Sequence, residues 1–304
     1  MTVRSTEQDI IDYYFDSKLD YQLYNLRVDD LAMHYGIWDE TTRTHREALL
    51  NENLVVARIA GIGAADHVVD FGCGYGSSAV WLASHIGCHV SGITLSQDQV
   101  DEATRLARER HVGHLVQFCR MDFHQTKFAP ETFDIVMAIE SIAHSTNKPR
   151  VLHEAYRLLK PGGRIVVADG YFLKRKAELT TKEWKIARAC FAGVHVPPLA
   201  ERDEFEQWLG DAGFRSIQWT EKTQAILPTA RRVHWLGIIL MPVAQMCRLL
   251  GFSALRPSHM RAFIYQYHAF RDGIGTYGVF CGTKARRDSA ESSQHGVISF
   301  LGRQ

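Results

Sequence analysis

Apolar runs alternate with amphipathic stretches through most of this chain. Val68 and Val69 open a run that leads into Asp70, then glycines at 72, 74 and 76. Apolar positions at helical spacing follow over residues 77–86, and a second apolar run covers 89–93. Strand, glycine turn, helix, strand is the opening βαβ unit of a doubly wound sheet. The alternation continues with a helix over 96–110, for which Ser96 is a natural N-cap. Strands are predicted at 116–120 and 133–139, a helix at 150–159, and a fifth strand at 164–169 behind the stop Lys160-Pro161-Gly162-Gly163. A helix at 201–212, a strand at 214–220 and a last strand at 277–283 complete the pattern.

The flanks read differently. Residues 1–46 hold Ile10, Ile11, Tyr14 and Phe15 at helical spacing and many further aromatics, which predicts an N-terminal helical lid. An α/β core is expected over 47–223, opening with a helix at 47–59. Residues 224–272 are apolar without strand alternation and predict a helical insertion capping the substrate. The last core strand falls in 273–285, and 286–304 is a polar, loose tail.

Composition narrows the class. With 35 Lys and Arg against 34 Asp and Glu in 304 residues, the net charge of +1 argues against a nucleic-acid partner. Six scattered cysteines without a C-x-x-C pair suit a reduced, cytoplasmic setting and speak against a zinc site. No apolar h-region follows the polar N-terminus, and the stretch 235–243 is too short to span a bilayer. A homo-oligomer is compatible with all of this.

The glycine spacing then selects a ligand. A dinucleotide fingerprint is G-x-G-x-x-G with an acid ending the second strand. Here the spacing is G-x-G-x-G, Asp70 stands ahead of it, and the second strand ends in Thr94. An acid there repels a pyrophosphate and suits an ammonium group. The stretch Asp70-Phe71-Gly72-Cys73-Gly74-Tyr75-Gly76 resembles the S-adenosylmethionine pocket of class I methyltransferases, as does Leu159-Lys160-Pro161-Gly162-Gly163 before an apolar strand. The resemblance covers about 47–223 and the last strand. It implies a seven-stranded α/β sheet with the last strand antiparallel beside the fifth, and S-adenosyl-L-methionine held by Asp70, Gly72, Gly74 and Gly76. Gly92-Ile93-Thr94-Leu95-Ser96-Gln97-Asp98-Gln99 is similar to cyclopropane fatty-acid synthases and to sterol, tocopherol and terpenoid methyltransferases. In those relatives a hydroxyl and an amide, here Thr94 and Gln99, bond the ribose or its neighbours. Asp122 is then the acceptor for the adenine amino group, and Phe123 stacks on the ring.

Glu140 ends the fourth strand at the mouth of the cleft, beside Ile139, Ile142 and Ala143. Desolvation raises a carboxyl pKa there, which suits a base. Glu140-Ser141-x-x-His144 resembles the sterol and tocopherol enzymes, where the acid lies beside the reacting carbon, and also some O-methyltransferases. Glu140 is therefore read as base or cation stabiliser, or as a ligand of the methionine amine. His144, one turn on, is read as its companion on a shared face or as a structural hydrogen-bonding group. His34-Tyr35-Gly36-Ile37-Trp38 resembles a stretch ahead of the core in prenyl-lipid methyltransferases. Substrate-facing aromatics are expected among Tyr14, Tyr24, Trp38, Phe263 and Tyr267, although most rings in these segments pack the lids. The expected reaction is C-methylation of an alkene in a prenyl or terpenoid substrate, a prenyl diphosphate included, with or without cyclisation of the cation. Alternatives are O-methylation of a small secondary metabolite and a non-catalytic cofactor-binding protein. No protein metal site is expected. Mg2+ enters only with a diphosphate substrate; the sequence has no Asp-rich motif for such a cluster, and Arg27, Arg231 and Arg232 are read either as diphosphate partners or as solvated surface.

Overall fold

The computed structural model describes residues 32–194, 196–251 and 256–286. Tyr14, Tyr24, Arg27 and most of the expected N-terminal lid lie outside the described residues. The elements are α1 (His45–Ala60), β1 (His67–Phe71), α2 (Ser77–His85), β2 (His89–Thr94), α3 (Gln97–Glu109), β3 (Val116–Arg120), β4 (Phe133–Ile139), α4 (Lys148–Leu158) and β5 (Leu159–Phe172). There follow α5 (Thr181–Val194), α6 (Arg202–Asp211), β6 (Arg215–Glu221), α7 (Thr223–Leu249), α8 (Pro257–Arg271) and β7 (Gly275–Thr283).

The seven strands form one α/β sheet in the order β3-β2-β1-β4-β5-β7-β6. β1 to β5 run parallel, and β7 lies antiparallel between β5 and β6. Covering both faces explains why the central strands read as unbroken apolar runs. Successive side chains point to opposite faces. Val68, Ile135, Val166 and Val279 thus join the layer of α1, α2 and α3. Val69, Val136, Val167 and Phe280 join the layer of α4 and α6. Local signals fix the helix starts. Thr44 and Glu47 form a reciprocal capping box on α1, and Ser96 Oγ accepts from Gln99 N at the start of α3.

Chain order reverses between β1 and β4, the place where such sheets bind ligands at the carboxyl ends of their strands. Three further helices stand over that end. Of these, α7 and α8 fall where the sequence predicts an insertion, whereas α5 has no counterpart in the sequence reading. Gly237 brings α7 close to α8, because a Cβ there would lie 2.9 Å from Met260 O. The junction of α4 and β5 differs from expectation. Helix α4 stops at Leu158, and the Pro161-Gly162-Gly163 turn falls inside the residues of β5, with Gly162 at φ +83°. No helix among the described residues is long and apolar enough to cross a membrane.

Candidate active site

Two cavities adjoin at the switch point and share Met33, His34, Glu140 and His144. The first is walled by the loop after β1 and by the ends of β2 and β4. Its lining includes Asp70, Gly72, Gly74, Thr94, Gln99 and Phe123. The loop is shaped by need. Gly72 has φ +76°, and a Cβ on it would sit 2.5 Å from the Cβ of Ser141. Ser141 is held in that position by donating its hydroxyl to Phe71 O, which ties the ends of β1 and β4 together.

Two polar atoms on this wall lack partners among the described residues. Thr94 Oγ1 donates to Gln99 Oε1, which fixes the amide and leaves Gln99 Nε2 as an unused donor. Asp70 Oδ2 is an unused acceptor on a side chain only 3% exposed. A buried polar group left unpaired costs about 1–3 kcal/mol, so such a pair marks a place for a ligand. Burial pushes the Asp70 carboxyl up to about 7, against the pull of His34. An acceptor able to carry negative charge, an unused donor and the apolar Leu95, Met121 and Phe123 on one wall are the kinds of group that a ligand with an ammonium, hydroxyls and an aromatic ring requires.

The other sequence candidates for this ligand fall in several places. Gly74 lies on the wall at φ +52°. Gly76 lies behind it as the N-cap of α2, packed on Ala103 and Phe118. Asp122 is off the wall, and its carboxylate accepts from His124 N at 2.8 Å and pairs with His124 Nδ1 at 2.6 Å.

The second cavity is larger in its cast of elements and mostly apolar. Phe172, α5 (Ala187, Cys190, Phe191), α7 (Val233), α8 (Phe263, Phe270) and Tyr277 of β7 all contribute. Glu140 stands where the two cavities meet. It directly follows β4, in the left-handed region at φ +50°, a conformation costing on the order of 1–3 kcal/mol and concentrated at functional sites. Its Oε1 accepts from Tyr35 N at 2.6 Å and from the Tyr277 hydroxyl at 2.9 Å. Tyr277 also donates to Glu52 Oε1, and Glu52 Oε2 pairs with His34 Nδ1 at 2.9 Å. One tyrosine hydrogen thus stands between two carboxyls.

Charge decides where protons sit in this network. Burial works against an imidazolium, but the Glu52 carboxylate outweighs it and holds His34 up at about 9. Burial and the charge on Glu52 drive Glu140 well above the ordinary carboxylate range, against His34 and the Tyr35 N–H. The His34–Glu52 contact thus lies beside a carboxyl, Glu140, that burial biases toward its neutral form. Asp169, also on the wall of the second cavity, is pushed up to about 6 by burial, although the N–H groups of Gly170 and Ala143 and the charge of Lys148 oppose the shift.

His144 closes a short 3-10 turn and touches both cavities. Of the expected substrate aromatics, Phe263 lines the second cavity. Trp38 instead fastens its segment to α7, donating its ring N–H to Thr229 Oγ1 and its backbone N–H to Ala225 O. Tyr267 packs beside His234 and under Arg271, off the wall. Sequence reading passed over His34, Glu52, Asp169 and Tyr277 as site residues. Only Glu52 carried a signal. It occupies a core-facing position of α1, between Leu49 and Val56, where a carboxylate needs a partner.

Comparison with known proteins identifies the chemistry this site serves. A methyltransferase domain model matches residues 69–167. O-methyltransferase resE of Aspergillus sclerotiorum is 30% identical over 237 residues, covering 76% of this chain and 85% of that protein. The sterol 24-C-methyltransferase of Candida albicans is 29% identical over 213 residues, 68% of this chain and 56% of that longer protein. Among solved structures, geranyl diphosphate C-methyltransferase from Streptomyces coelicolor A3(2), in complex with Mg2+, a substrate analogue and S-adenosyl-L-homocysteine, superposes with a TM-score of 0.72 at 22% identity. That match covers 92% of this chain and 98% of the other. The chain therefore belongs to the S-adenosylmethionine-dependent methyltransferases.

Proposed function

We propose that this enzyme methylates an alkene carbon of a neutral, apolar terpenoid acceptor, with Glu140 as the base. The observation that carries the reading is the position of Glu140, between the cofactor cavity and a second cavity ringed by Tyr35, Phe172, Phe191, Phe263, Phe270 and Tyr277. Bound S-adenosylmethionine supplies an electrophilic methyl group on a sulfonium. The alkene's π electrons would form the new carbon–carbon bond as the methyl–sulfur bond breaks, so that S-adenosylhomocysteine leaves with that electron pair and positive charge remains on the neighbouring carbon. A desolvated ring face beside such a cation is worth about 2 kcal/mol. The apolar walls keep out the water that would quench it. Glu140 then takes a proton from an adjacent carbon, restoring a double bond.

The high pKa of Glu140 suits this order of events. A cation entering the first cavity favours the carboxylate, so the base is released where and when it is needed. His34, Glu52 and Tyr277 hold that carboxyl in place. The wall of the second cavity carries Glu140 and Asp169 and, among the described residues, no Lys or Arg. Arg231 and Arg232 are exposed on α7 and do not line it. His34, already paired with Glu52, is the one basic group beside His144 on the described wall, which therefore favours an acceptor without an anionic head. O-methylation is the second reading, supported by the name of the Aspergillus relative and by a base equally able to take a hydroxyl proton.

Incubation with methyl-labelled cofactor and a panel of terpenes, terpenols, prenyl diphosphates, quinols and phenols tests the proposal. The expected product bears the new methyl on carbon, with a shifted or closed double bond, and the neutral prenyl compounds react best. A methyl ether would overturn the reading in favour of O-methylation.

A further inference from the structure

Charge is balanced over the whole chain but not along it. Residues 222–271 hold seven Lys and Arg and no Asp or Glu, in a protein of net charge +1. The same segment carries nearly all the exposed large apolar side chains. On α7, Trp235, Ile239, Val243, Met246 and Leu249 recur at spacings of three and four, with Ile239 67% and Leu249 83% exposed. That spacing puts them on one face of the helix. The opposite face, with Val233, Gly237 and Ala244, is buried on α8. Helix α7 is therefore apolar on both sides and covered on one.

Arg231 and Arg232 stand one turn before Trp235, at the end of the uncovered face. With Arg248 and with Arg261 of α8 they are exposed, and none of the four makes an ion pair among the described residues. We infer that the outer face of α7 docks on an anionic lipid surface, with its apolar side chains in the headgroup boundary and these arginines on the lipid phosphates. An interfacial helix needs this combination of Trp and Leu on one face and arginine beside it. A second copy of the chain is the poorer partner. A twofold contact would set the same cationic segment against itself, with no carboxylate in residues 222–271 to neutralise it.

Docking on this face has a geometric consequence. Val233 and Phe263, on the inner side of the same helix pair, line the second cavity. The cavity then lies one helix thickness from the lipid. The surface proposal does not depend on the identity of the acceptor, and it is tested by binding alone.

The full chain is sedimented with vesicles of phosphatidylcholine, with and without phosphatidylserine. Binding is expected to require phosphatidylserine and to weaken with added salt. The pairs Ile239→Glu with Met246→Glu, and Arg231→Gln with Arg232→Gln, should each lower partitioning at least about tenfold. Both should keep the wild-type melting temperature and S-adenosylhomocysteine affinity, since neither touches the core or the cavities. Absence of binding, equal binding to uncharged vesicles, or unchanged binding by both pairs overturns the proposal. So does a dimer in solution that the Ile239→Glu, Met246→Glu pair dissociates without altering vesicle binding, which assigns the face to self-association.

Discussion

The two cavities share Glu140 and are built in opposite ways. The first cavity is made by residues 33–144, with the loop after β1 and the ends of β2 and β4 as its frame. Its form follows from local rules: a left-handed glycine, a serine tie, an amide pinned by a threonine. The acceptor cavity draws on residues 33–277 and on three helices that meet only in the finished fold. Its polar centre is a chain of contacts from His34 to Glu52 to Tyr277 to Glu140, across α1, β7 and β4. A ligand common to many enzymes can be held by a turn. An acceptor particular to one enzyme is selected by distant segments, each of which is ordinary by itself.

If the two regions are functionally separate, Glu140→Gln will show it most clearly. The amide keeps the shape and the Tyr35 N–H contact but cannot take a proton. Turnover should fall on the order of a hundredfold or more. Affinity for S-adenosylhomocysteine, measured by calorimetry, should change little. Loss of cofactor binding would instead make Glu140 part of the first cavity.

Asp70→Asn probes the other side. Wild-type Asp70 must be ionised to meet an ammonium group, and its carboxyl titrates near 7. Cofactor affinity should therefore drop as pH falls from 8 to 6, with protons released on binding near pH 7. The variant should bind on the order of tenfold more weakly at pH 8 and lose most of that pH dependence. Titration in buffers of different ionisation enthalpy reads both quantities.

The smallest effect concerns stability without ligand. His34 has its pKa raised from 6.5 to about 9, so its contribution is complete below 6.5 and disappears as pH rises through 9. The raised carboxyl of Asp70 has the same sign, with its favoured neutral form lost as pH rises through about 7. The melting temperature should fall between pH 6 and 9.5 by on the order of 5 °C. His34→Gln should melt lower at pH 6 and lose the upper part of that fall. A wild-type melting curve that is flat over this range would remove the ion pair from the account.

The same contrast explains what the sequence made legible. Strand patterns, the Asp70 loop, Gln99 and Glu140 were readable because each depends on neighbours within a few positions. Asp122 was readable as an acid after β3, but not its engagement by His124, which comes from the turn the chain takes there. Helix α5 was passed over because residues 170–200 mix apolar and charged positions without a clean period. The partnership of Glu52 and Tyr277 spans 225 positions, and no local pattern encodes a contact of that range.

That separation also sets the order in which the protein comes into being. Strand β6 has one neighbour in the sheet, β7, and β7 is the last strand among the described residues. During synthesis the N-terminal part of a chain emerges and folds first. The walls of the cofactor cavity have all been made by His144, whereas Glu140 waits for Tyr277 and β6 waits for β7 to enter beside β5. A growing polypeptide thus contains every residue of the first cavity's wall before the residues that complete the second have been made.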